Sequence, residues 1–133
     1  MRKIDEVIVH CSATGIHQDF DVSDIDRWHR ERGFNGCGYH FYIKLSGQLQ
    51  VGRDIEKAGA HCKGHNSNTV GVCFEGGLME DMKTPWSKPT DNQMVTWGRL
   101  HDYFNRNIGV VKVSGHYQYS TKTCPNFNIN LLK

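Results

Sequence analysis

Two short runs, EVIVHC at 6–11 and NTVGVCFEGG at 68–77, constrain this chain more than any other feature. Both are rich in β-branched and apolar residues without the in-out alternation of a half-exposed strand. Such runs fit strands buried on both faces, as in a parallel sheet covered by helices. The second stops at the Gly76–Gly77 pair. GYHFYIKLSGQLQVGR reads as two further strands around a Ser46-Gly47 turn. GVVKVSGH at 109–116 reads as a last strand.

Helices fall between these strands. SDIDRWHRERGF suits a helix capped by Ser23, with Ile25 and Trp28 on one face and Gly33 at its end. TDNQMVTWGRLHDYFNRN opens with Thr90 and Gln93 at capping-box spacing. Its expected buried stripe is Met94, Trp97, His101 and Phe104. LMEDMKTPWSKP, with two prolines, reads as an excursion loop. The order β-α-β-β-β-α-β predicts a single α/β domain over residues 1–133, a central mixed sheet flanked by helices.

The balance of charge excludes some functions. Sixteen basic and 14 acidic residues leave a net +2, too even to announce nucleic-acid binding, although a mildly basic surface favours an anionic polymer. No apolar run reaches the length of a membrane span. The opening MRKIDEVIVHCSA breaks at Asp5 and Glu6 before any signal-type segment, which predicts synthesis in the cytoplasm without a signal peptide. Five scattered cysteines with no C-x-x-C pair read as thiols rather than a disulfide framework.

His10 ends the first strand and His116 the last. Sites in open α/β sheets gather outside the carboxyl ends of strands, so parallel pairing would put both imidazoles on one rim. The aperiodic segment GHYQYSTKTCPNFN leaves that rim carrying Lys122 and Cys124. Two imidazoles and a thiolate are a plausible zinc set, and three protein ligands leave a fourth position for water, as in catalytic sites. Spacing alone does not single out this triad, because eight histidines and five cysteines permit others.

The segments IVHCSAT, GYHFYI, GAHCKGHNSNTVGVCFEGG and GHYQYSTKTCPNFN occur here in an order that resembles the type 2 N-acetylmuramoyl-L-alanine amidases. That family includes phage endolysins and animal peptidoglycan recognition proteins, and the resemblance spans residues 4 to 128. It implies an amidase/peptidoglycan-recognition-type fold and hydrolysis of the amide joining N-acetylmuramic acid to L-alanine in bacterial peptidoglycan. It also implies one Zn2+ per chain on His10, His116 and Cys124, with Tyr39 and Lys122 as catalytic groups. Tyr39 would orient the attacking water and relay a proton, its phenol acidified by nearby positive charge. Lys122 would offset negative charge on the reacting carbonyl. Asn128 stands where many relatives carry Asp, a departure that removes a charged support from the ligand loop.

The remaining candidates divide between support and binding. His61 and Asn66 lie in what resembles the substrate groove and are candidate muramyl-peptide contacts, although Asn66 also suits a turn. Cys11, next to His10 on a strand, faces the other way and reads as core. His40 reads as support, His29 and His101 as packed or surface residues, and His17, in a loop, as having no specific role. Trp28 and Trp97 read as core, and Trp86 as either a sugar platform or a loop anchor. The expected protein is a monomer with no nucleic-acid or membrane partner, acting on the cell wall after release. A non-catalytic peptidoglycan-binding module on the same fold is the alternative.

Overall fold

The computed structural model describes residues 2–109 and 111–133. Among these described residues, seven strands and two α-helices follow in chain order: β1 (Glu6–Cys11), β2 (Thr14–Gly15), α1 (Val22–Glu31), β3 (Phe41–Ile43), β4 (Leu49–Val51), β5 (Thr69–Phe74), β6 (Gly77–Leu78), α2 (Asp91–Asn107) and β7 (Lys112–Gly115). The main sheet has the order β4-β3-β5-β1-β7. Only β3–β4 is antiparallel, so the sheet is mixed as expected. All six residues of β1 and all six of β5 are buried, in line with two-faced burial. A second parallel pair, β2–β6, is only two residues deep and had no visible sequence signal.

The sheet's two faces carry unequal cores. On one, Val7, Val9, Val72, Phe74 and Val113 pack with Trp97, Leu100 and Phe104 of α2. On the other, Tyr42 and Cys73 meet Ile25 of α1. Cys11 falls on the α2 side, as strand alternation requires.

Several local details differ from expectation. Helix α1 is capped by Asp21, not Ser23. The Asp24 carboxylate accepts the Asp21 backbone N–H at 2.9 Å and Gln50 accepts that of Val22 at 2.7 Å, so the first turn is satisfied before Ser23 is reached. Gly33 does follow the helix end, at φ +92°. The Thr90–Gln93 capping box is present, but the buried stripe of α2 is Gln93, Trp97, Leu100 and Phe104. Met94 and His101 flank it, half-buried, and His101 stacks on Trp97. Gln93 enters the core because its amide donates to the Ile43 and Glu75 carbonyls at 3.0 and 2.9 Å.

The final strand is shorter than 109–116. Val110 lies outside the described residues, and His116 begins a 3-10 turn, His116–Gln118. A closing turn, Ile129–Leu132, buries Ile129 and Leu132 beneath α2, and Trp97 donates to the Leu132 carbonyl at 3.0 Å. Among the described residues no helix is long and apolar enough to cross a membrane.

Candidate metal centre and cleft

Strand register builds the site. β1 lies between β5 and β7 and pairs in parallel with both. Its last pair with β7 is Val9 with Gly115, so the next position on each chain is His10 and His116. Their rings lie 4.5 Å apart, centroid to centroid. The loop after His116 turns back to the same rim. Tyr117 donates its N–H to the Cys124 carbonyl at 2.9 Å, and the Cys11 N–H reaches Cys124 Sγ at 3.0 Å. One donor atom from each of His10, His116 and Cys124 falls within 4.8 Å of the others.

The protonation states suit a metal. His10 is almost wholly buried, and burial lowers its pKa, which keeps the ring neutral. Hydrogen bonding with Cys11, then with His10 and His116, draws the Cys124 thiol well below its ordinary value despite opposing burial. Contact with Cys124 and burial push Cys11 up, so of the two sulfurs Cys124 is the one held as thiolate. Cys11 is thus both core and neighbour to a candidate ligand.

His116 and Cys124 line a cavity of about 670 Å³, and His10 is buried beside them. Tyr39 stands there half-buried, its ring 4.9 Å from His10 and 5.2 Å from His29. Burial pushes its phenol well above the ordinary value, the reverse of the acidification expected, because low-dielectric surroundings oppose phenolate. Lys122 is exposed and lines the same cavity. His61 is 8% exposed on the wall, its Nδ1 2.8 Å from His10 Nε2 and its Nε2 3.1 Å from the Thr69 hydroxyl. Asn66 accepts the backbone N–H of His61 and of Cys62, each at 3.0 Å, and so closes the 61–66 turn.

Other residues resolve as supports. His40 takes the Gly71 N–H on Nδ1 at 3.0 Å and donates from Nε2 to the Lys57 carbonyl at 2.7 Å. His29 Nδ1 accepts the Gly38 N–H at 2.7 Å. Trp86 is buried and donates to the Pro125 carbonyl at 2.9 Å, so it anchors the loop that carries Cys124. Asn128 caps the closing turn, accepting from the Asn130 N–H at 3.0 Å. The sequence reading missed Arg32 and Lys63 on the cleft wall and the buried Thr69 behind it. Lys63 lies inside GAHCKGHN and was there to be found; Arg32, at a helix end, gave no signal.

A fold of this layout with such a rim defines an amidase-type domain, and comparison with known proteins agrees. The sequence profile of the N-acetylmuramoyl-L-alanine amidase family matches residues 1–127. The chain belongs to that family. It is 38% identical over 130 residues to an endolysin of Enterobacteria phage K11, covering 96% of this chain and 84% of the relative. Against an endolysin of Klebsiella phage KP32 it is 36% identical over 129 residues, covering 96% and 84%. Among solved structures, the amidase LysC from Clostridium intestinale superposes with a TM-score of 0.86 at 26% identity, over 99% of this chain and 84% of that one. Drosophila peptidoglycan recognition protein LB shares the fold, with a TM-score of 0.79 at 24% identity over 95% and 76%.

Proposed function

We propose that this chain is a zinc-dependent N-acetylmuramoyl-L-alanine amidase that cuts the bond between the lactyl group of N-acetylmuramic acid and L-alanine in peptidoglycan. The observation that carries the reading is the convergence of His10, His116 and Cys124 within 4.8 Å. Two neutral imidazoles and a thiolate are a donor set that zinc accepts, with one ion per chain. Bound there, zinc supplies Lewis acidity toward the scissile carbonyl and lowers the pKa of the attacking water.

The chain's own groups do the rest. Tyr39 keeps its phenolic proton at neutral pH, so it orients the attacking water and hands a proton to the departing amine of L-alanine. Lys122 places an ammonium at the cleft to offset charge that develops on the carbonyl oxygen. Arg32, Lys63 and Lys122 line the cavity with no carboxylate among its described lining residues, which suits the carboxylates of a stem peptide. His61 and Asn66 form the wall against which the muramyl peptide lies, with Asn66 offering its Nδ2 end.

The endolysin relatives support a lysin that works on the bacterial cell wall. It acts as a monomer and needs neither nucleic acid nor membrane. Mass spectrometry of digested peptidoglycan tests the reading: a new amino-terminal L-alanine is expected, lost on chelation and restored by zinc. Cleavage at a glycosidic or inter-peptide bond, full activity in zinc-free protein, or binding without cleavage would overturn it.

A further inference from the structure

A hydrogen-bond chain runs behind His10 through His61 to Thr69. Thr69, on β5 and fully buried, has one hydroxyl proton, which goes to the His65 carbonyl at 2.6 Å. Toward His61 Nε2, at 3.1 Å, the same oxygen can therefore only accept. His61 is thus protonated on Nε2. A neutral ring with its proton on Nε2 keeps a lone pair on Nδ1. That lone pair meets His10 Nε2 at 2.8 Å and takes its N–H. His10, also neutral, is left with its own lone pair on Nδ1.

We propose that Thr69 and His61 are positioning residues that lock His10 in the Nε2–H tautomer, so that Nδ1 is the atom offered beside His116 and Cys124. The surroundings of His61 are shaped for this. A Cβ at position 71 would lie 2.6 Å from His61 Cγ, and one at position 59 would lie 2.5 Å from His61 Cδ2. Only glycine at both places admits the ring in this pose. Both ring nitrogens are engaged inside the protein, so His61 meets a substrate only through its carbon edge.

The inference rests on the zinc reading above, and the experiment separates the two. Histidine 15N shifts of the metal-free protein report each ring's tautomer, and chelator competition reports zinc affinity. Wild type should show His10 protonated on Nε2. Thr69→Val keeps the side-chain shape without the hydroxyl; it should give mixed His10 tautomers and about 10–100-fold weaker zinc binding, the usual range for a lost outer partner. Thr69→Ser should restore both. His61→Phe should weaken zinc similarly, and His61→Asn, with a carbonyl oxygen in place of Nδ1, should recover part of the loss. Thermal unfolding checks that each variant is folded. His10 protonated on Nδ1 in wild type overturns the relay, as does a folded Thr69→Val with unchanged zinc affinity. Wild type that shows the expected tautomer yet binds no zinc upholds the relay and overturns the metal reading.

Discussion

At the scale of single residues, the roles proposed for Tyr39 and Lys122 are separable. Tyr39→Phe keeps the ring between His10 and His29 and removes only the hydroxyl. Zinc content should stay normal while hydrolysis falls by roughly 10²–10⁴, the range for a lost acid/base group. Near-normal turnover would reduce Tyr39 to packing. Lys122 is exposed, so Lys122→Met should leave the fold intact. If the ammonium acts on developing negative charge, kcat should drop by about 10²–10³ with KM little changed. A rise in KM that grows as salt is lowered would mark it as a mere attractor of anionic wall. Single-turnover hydrolysis of a soluble muramyl peptide at two ionic strengths distinguishes these.

At the scale of elements, the buried histidines that hold strands together should make stability depend on pH. His40 bridges the start of β3 to β5 through Gly71 and to the Lys57 carbonyl, and burial lowers its pKa to about 4. Protonating Nδ1 would break the Gly71 bond. Between the unfolded value near 6.5 and 4, the unfolded chain binds more protons, so stability falls as pH drops through that window. The loss from this one residue is roughly 2–3 kcal/mol. Denaturant midpoints at pH 7 and pH 4.5 should therefore diverge less in His40→Gln than in wild type, and equal divergence would remove His40 as the cause. The same elements show what a sequence can disclose. Strands β1 and β5 were legible because burial on both faces leaves an unbroken apolar run, and α2 because Thr90 and Gln93 cap each other. The meeting of His10 and His116 followed from two strand ends plus an assumption of parallel pairing that the register bears out. Asp21 displaced Ser23 as cap through a partner three residues on. Gln93 took a core position through carbonyls of β3 and the end of β5, which no helical period encodes. Thr69 was invisible for the same reason: its role depends on His61 and His65 being folded over it.

At the scale of the whole molecule, the proposed metal set joins distant parts of the chain. Zinc that binds only the folded protein raises its stability by mass action, by about 4 kcal/mol at a free concentration 1,000 times Kd. Thermal unfolding should accordingly shift upward with added zinc and downward with chelator. In Cys124→Ser that response should shrink sharply, because an alcohol is a far poorer zinc ligand than a thiolate. A zinc-dependent melting temperature equal to that of wild type would remove Cys124 from the set. The sheet order also governs when the centre can come into being. β7 adds to the far side of β1 from β5, and the contact of Cys11 with Cys124 joins positions 113 residues apart. A ribosome must therefore release the chain past position 116 before His10 gains either of its companions. Until then β1 has an open edge, and His10 lacks both groups that converge on it in the folded chain. The three-residue cluster is thus among the last features of the fold to assemble during synthesis.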